Sequence, residues 1–157
     1  SDLSFDLEVF EEVLKTVHGN LRPRDPFDVK LSPYSDPRMI ELVAERLRSY
    51  NIRNIITSNT FPNGVGFTGR RRSITPRYGG IGGNAMRHIA LGQVSQFSEA
   101  LATTSIGIIG VGGIFSGQDI ISMREAGACG VQLGTAFEQY GAKIFSQVFE
   151  EASDLLG

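Results

Sequence analysis

Cys129 is the only cysteine in the chain, which excludes a disulfide framework or a cysteine-based metal site within it. Set between Ala128 and Gly130 just ahead of an apolar run, it is expected to be a small buried residue with a free thiol, in keeping with a reducing compartment. No apolar stretch approaches the ~20 residues of a membrane span, and the opening Ser-Asp-Leu-Ser is not a signal peptide. A basic footprint is also missing: net charge is −2 with both signs scattered, which argues against a nucleic-acid partner. The one basic cluster, at residues 70–72, reads as a solvated loop face. Histidine is scarce, with two in the chain. His18 ends the first helical segment, where a capping role fits, and His88 falls within a helical pattern at the surface. Serine-hydrolase, metalloprotease and Walker signatures do not occur. Heptads, low-complexity tracts and long internal repeats are absent too.

What is present is globular. Hydrophobic residues make up 41% and charged residues 20% of 157 positions, enough to bury a core but too short a chain for a complete eight-unit β/α barrel, which needs ~200 residues or more. Phe5, Val9, Phe10, Val13, Leu14 and Val17 recur at helical spacing before the stop signal Gly19-Asn20. Phe27-Asp28-Val29-Lys30-Leu31 reads as a strand, and Asp36-Pro37 as a cap and first turn of a helix with Ile40, Val43, Ala44 and Leu47 on one face. A second strand spans Asn54-Ile55-Ile56-Thr57-Ser58-Asn59. Residues 61–83 form a long irregular stretch, which in a compact domain is usually functional or mobile. A helix from 84 to about 103 carries Ile89, Leu91, Val94, Phe97 and Leu101 as core positions. Ile106 to Val111 is an apolar strand, Ser116 starts a helix closing at Gly127, Gly130-Val131-Gln132-Leu133 is the last strand, and a final helix runs through Ile144, Val148 and Phe149.

One helix followed by four strand–helix units predicts parallel strands, apolar on both faces, with helices covering the sheet. The expected fold class is therefore α/β: parallel β/α units forming the C-terminal half of a TIM (β/α)8 barrel, spanning residues 1–157. A small doubly wound domain is the alternative. Ligands of β/α proteins bind at the carboxyl ends of strands, and each end here carries something beyond turn filler. Gly112-Gly113 after one strand and Gly134-Thr135 after the next would let backbone amides and a hydroxyl approach an anion, the arrangement expected of a phosphate grip. Turn chemistry is the plain alternative. Lys30 at a strand mouth either neutralises an anion or snorkels. Asn59 and Thr60 suit a planar polar ligand or a turn cap. Gly79-Gly80-Ile81-Gly82-Gly83 implies close passage of a ligand or a hinge.

Read in order, these strand ends resemble the C-terminal half of dihydroorotate dehydrogenases, FMN-dependent barrel enzymes of pyrimidine biosynthesis. The matching pieces are Val29-Lys30-Leu31-Ser32-Pro33-Tyr34, Ser58-Asn59-Thr60 with Asn63-Gly64, Gly79-Gly80-Ile81-Gly82-Gly83, Gly110-Val111-Gly112-Gly113-Ile114 with Ser116-Gly117, and Gln132-Leu133-Gly134-Thr135-Ala136. The resemblance implies that Lys30 lies by the flavin ring and stabilises negative charge near N1 and the C2 carbonyl. Asn59 and Thr60 would contact orotate, and Gly82 would lie near the flavin. Gly112, Gly113, Gly134 and Thr135 would bind the FMN phosphate. It further implies oxidation of dihydroorotate to orotate, with a second electron acceptor such as fumarate, a homodimer once the barrel is complete, and no metal.

The family's catalytic base, a Cys or Ser, lies on a loop of the first half of the barrel and is expected outside this chain. Cys129 precedes the last strand and so lies at the wrong end to replace it. The Lys-Leu-Ser-Pro-Tyr and Gly-Gly-Ile-Gly-Gly wording resembles the fumarate-reducing class, which implies a cytoplasmic location, whereas Ser58-Asn59-Thr60 is at home in the quinone class. Two further readings stand beside this one: a barrel acting on a sugar phosphate without flavin, and a non-catalytic half-barrel that binds or dimerises.

Overall fold

The computed structural model describes residues 6–22, 25–68, 71–72 and 78–157; Phe5, Arg70 and the side chains of Arg71 and Arg72 lie outside that description. The elements run α1 (Leu7–Asn20), β1 (Phe27–Leu31), α2 (Pro37–Leu47), β2 (Ile52–Thr57), β3 (Phe61–Gly64), β4 (Phe67–Thr68), β5 (Arg71–Arg72), β6 (Gly79–Ile81), a 3-10 turn (Gly83–Met86), α3 (Arg87–Ala100), β7 (Gly107–Val111), α4 (Gly117–Glu125), β8 (Gly130–Gln132), α5 (Thr135–Tyr140) and α6 (Lys143–Leu156). Local chemistry sets the helix starts. The Asp6 carboxylate accepts from the amides of Glu8 and Val9. Asp36 accepts from Arg38 N–H at 3.0 Å with Pro37 in the first turn, and Ser116 and Asp119 form a reciprocal capping box.

Four strands pair in parallel in the order β1-β2-β7-β8. In register, Leu31 lies beside Thr57, Thr57 beside Gly110, and Gly110 beside Val131. Side chains alternate across a strand, so Leu31, Ile55 and Ile108 face one side while Lys30, Ile56, Ile109, Val111 and Gln132 face the other. All the helices that pack on the sheet lie on the first side. Leu31, Ile55 and Ile108 share one buried cluster with Phe10 and Leu14 of α1, Ile40, Val43 and Leu47 of α2, Val94 and Phe97 of α3, and Met123 of α4. Each of these fully buried apolar side chains stabilises the fold by about 1.5–3 kcal/mol relative to exposure. A doubly wound sheet would carry helices on both faces; covering one face is the winding of a barrel wall. The chain is thus four parallel β/α units with barrel-like winding. Among the described residues, β1 and β8 each keep one unpaired edge.

The structure alters several expectations. The uncovered face is mixed rather than apolar, since Asp28, Lys30, Asn54 and Gln132 stand on it. Residues 61–83 are not simply irregular. β3 pairs antiparallel with β6, setting Phe61 opposite Ile81 and Gly64 opposite Gly79, and β4 pairs with β5. Val13, Val17 and Ile89 are exposed at 39%, 37% and 39%. The buried stripe of α1 runs through Phe10 and Leu14, and that of α3 through Ala90, Gln93, Val94 and Phe97. The last helix is two: the Gly141 amide donates to Phe137 O at 2.8 Å with φ of +70°, a glycine C-terminal stop. Phe149, in the final helix with Ile144 and Val148, is 71% exposed; the buried residues of α6 are Ile144, Val148 and Ala152. Cys129 is exposed, not buried; its thiol lies 3.4 Å from Ile108 O at the amino end of β8. No helix of the described residues is long and apolar enough to cross a membrane.

Candidate active site at the carboxyl ends of the strands

The ends of β1, β2 and β7 are tied to one another by backbone. The Asn59 amide donates to Leu31 O at 2.9 Å, which joins the end of β2 to that of β1, and the Ser58 amide donates to Val111 O at 3.1 Å, which joins it to β7. The hydroxyls of Thr57 and Ser58 are buried there without a hydrogen-bond partner. Lys30 is exposed on the uncovered face one residue before the end of β1, so its ammonium is available to a ligand lying across the mouth of the sheet. Asn59 and Thr60 follow as exposed residues. The loop after β1 is held from behind by Gln93, which accepts from the Tyr34 amide at 3.1 Å and donates to Tyr34 O at 2.9 Å. No strand-end motif points to Gln93. The signal was present: a glutamine on the apolar stripe of α3, between Ala90, Val94 and Phe97, has to find polar partners when buried.

The glycine run at residues 79–83 crosses between the two halves of this mouth. A Cβ on Gly80 would collide with the Thr60 side chain, and one on Gly82 would sit 3.4 Å from Thr135 Oγ1 and 3.5 Å from Thr60 Cγ2. The run therefore passes between the ends of β2 and β8, and part of its glycine content is a packing requirement.

At the far side, Gly112, Gly113, Gly134 and Thr135 line one small cleft together with Gly83, Ile114 and Phe115. Gly112 and Gly113 have φ of +127° and +73°, a left-handed region that disfavours side chains. α4 is already capped, by Ser116 and Asp119 and by the Glu151 carboxylate, which accepts from the Gly117 amide at 2.8 Å. No side chain caps α5, which starts from Gly134. The cleft is therefore walled by glycine backbone and carries the Thr135 hydroxyl, a donor set suited to an anionic oxygen.

Charged groups elsewhere serve the fold. At the amino end of the sheet, Arg53 binds Asp28 at 3.1 Å and Asn54 donates to it at 3.0 Å; the Arg53 hydrogen bond is the main cause holding the Asp28 carboxyl below its ordinary pKa, and Asn54 adds to it. Neither histidine reaches the mouth chemistry from its helix. The His18 ring packs edge-on against Tyr50 at 5.8 Å, and His88 is exposed on α3. Cys129 lies at the end of β8 opposite to the cleft.

The chain is also similar in sequence to known proteins. Residues 2–156 match the family model described as dihydroorotate dehydrogenase. The chain belongs to the dihydroorotate dehydrogenase family. It is 32% identical over 158 residues to the dihydroorotate dehydrogenase A (fumarate) of Lactococcus lactis, covering 98% of this chain and 50% of that protein. It is 30% identical over 158 residues to the dihydroorotate dehydrogenase (fumarate) of Saccharomyces cerevisiae, covering 98% and 49%. The chain thus spans about half the length of these family members.

Proposed function

We propose that this chain is the flavin- and orotate-holding portion of a dihydroorotate dehydrogenase barrel. The observation that carries the reading is the convergence of Lys30, Asn59, Gly82 and the Gly112–Gly113–Gly134–Thr135 cleft along one edge of a four-stranded parallel sheet. The cleft suits an anion such as a phosphate because four glycines, Gly83, Gly112, Gly113 and Gly134, line it without side chains and the first three hold positive φ. FMN is the cofactor inferred: Gly112, Gly113, Gly134 and Thr135 would hold its phosphate, and Gly82 and Lys30 would lie by its ring. Bound there, the flavin would take up hydride and pass electrons to a second acceptor.

The chain's own groups do the rest. Lys30 supplies positive charge where negative charge develops on the ring system. Asn59 and Thr60 offer donors and acceptors to a carboxylate, amide and carbonyl substrate, and so orient dihydroorotate for loss of its C6 hydrogen. The base that removes the C5 proton comes from the remainder of the barrel. The name "(fumarate)" carried by the relatives supports fumarate as the acceptor; a cytoplasmic location and a homodimer of the completed barrel belong to the same proposal.

The test is to join the chain to the remaining half of a barrel and purify the product. Stoichiometric flavin absorbance, bleached by dihydroorotate without oxygen and restored by fumarate, is the expected result, with no turnover by the chain alone. A completed barrel that stays colourless overturns the reading, and tight binding of a sugar phosphate by that colourless protein would favour a flavin-free barrel enzyme.

A further inference from the structure

Behind the glycine cleft lies a charged pair that no strand-end motif predicts. Asp119, in the first turn of α4, has a side chain only 6% exposed. Its Oδ2 accepts from the Phe115 amide at 2.9 Å, the Ser116 amide at 3.0 Å and the Ser116 hydroxyl at 2.9 Å. Its Oδ1 is 2.6 Å from Nη2 of Arg87. Arg87 opens α3 directly after the 3-10 turn that begins at Gly83, and Gly113 rests on its backbone: a Cβ at position 113 would lie 2.5 Å from Arg87 Cβ and 2.6 Å from its Cα. Both residues therefore touch the loop 112–116, whose Gly113, Ile114 and Phe115 line the cleft.

Three donors already hold the Asp119 carboxylate, so Arg87 is not needed to fix its position. What the guanidinium changes is charge. A buried carboxylate left unpaired directly behind an anion site would oppose a phosphate through a medium that screens poorly. We infer that Arg87 and Asp119 are positioning residues for the phosphate grip: Asp119 shapes the 112–116 loop through its amides, and Arg87 cancels the negative charge this brings to the back of the cleft. The inference rests on the flavin reading above and deepens it.

The experiment uses the completed barrel and two probes, FMN and riboflavin, which differ only in the phosphate. In Arg87→Met, FMN affinity should fall about tenfold or more while riboflavin affinity moves less than about threefold, as expected for a charge term acting on the phosphate alone. Adding Asp119→Asn, whose amide oxygen still accepts from Phe115 and Ser116, should bring FMN affinity back to within about threefold of the wild type. Arg87→Lys, which keeps the charge, should stay within about threefold as well. Equal losses for both probes in Arg87→Met would mean a merely structural role and overturn the inference, as would a double variant no better than the single one. Should Arg87→Met fail to fold, the double variant and Arg87→Lys decide: either one losing FMN about tenfold with riboflavin binding intact contradicts the charge argument. A wild type that binds flavin but holds FMN no tighter than riboflavin would remove the phosphate assignment beneath the proposal, a failure distinct from that of the pair.

Discussion

Gly113 lies against the backbone of Arg87 so closely that a methyl group at position 113 would sit 2.8 Å from the Arg87 amide nitrogen. The loop that follows β7 and the start of α3 thus share a surface with no room for a side chain. The second glycine of the pair serves the fold whether or not an anion is bound.

Gly113→Ala should therefore destabilise the protein by about 2–4 kcal/mol, combining a steric overlap with backbone and a φ of +73° that L residues rarely adopt. Urea denaturation measures this, and a change below about 0.5 kcal/mol would contradict the packing.

Gly134 behaves oppositely. Nothing lies within 4 Å of a Cβ built there, and its φ of −109° is open to any residue. Gly134→Ala should leave stability within about 0.5 kcal/mol, yet weaken FMN about tenfold in the completed barrel if backbone must approach the phosphate closely. Unchanged FMN affinity would remove Gly134 from the grip.

Lys30 is exposed and makes no contribution to the buried cluster, so Lys30→Ala should fold normally. If its ammonium stabilises charge on the reduced ring, flavin reduction by dihydroorotate should slow about 100-fold or more, read by stopped-flow absorbance. An unaltered rate would leave Lys30 as a solvated strand residue.

Three carboxyls are held below their ordinary pKa: Asp28 chiefly by Arg53, Asp36 chiefly by Arg38, and Glu151 chiefly by Gln147, with the Gly117 amide next. A depressed folded-state pKa stabilises above the unfolded value and is lost as pH falls through the folded one. The melting temperature should thus be insensitive to these groups above about pH 5 and drop below about pH 4. Asp28→Asn should melt below the wild type at pH 7 and converge with it in acid; a constant gap at all pH values would rule out the linkage.

Much of the fold was legible because its signals are local. Asp36-Pro37 and Ser116 mark helix starts through bonds made within three residues, and β1 follows from five residues whose apolar side chains alternate. What misled was burial at single positions. Ile89 has the helical spacing of a core position yet is exposed, because spacing does not say which of two adjacent stripes meets the sheet. Cys129 looked buried from its small, apolar neighbours, yet the edge of β8 beside it has no partner strand among the described residues. At the site, Lys30, Asn59, Thr60, Gly82 and the phosphate-corner residues stood out because each follows or ends a strand. Gln93 and Arg87 did not, because their partners lie far along the chain, and Asp119, whose capping partner Ser116 is local, has a distant counter-charge in Arg87.

The sequence by itself determined the order of the four parallel strand–helix units, the residues at each strand mouth and the family, since all of these are written in short-range pattern and motif order. Only the tertiary structure decided that the helices cover one face of the sheet, that the glycine run threads between Thr60 and Thr135, and that Arg87 neutralises Asp119 behind the cleft. Those outcomes depend on which surfaces meet once the chain has folded, and in particular on a buried charge having to find its counter-charge within a few ångströms, wherever in the sequence it lies.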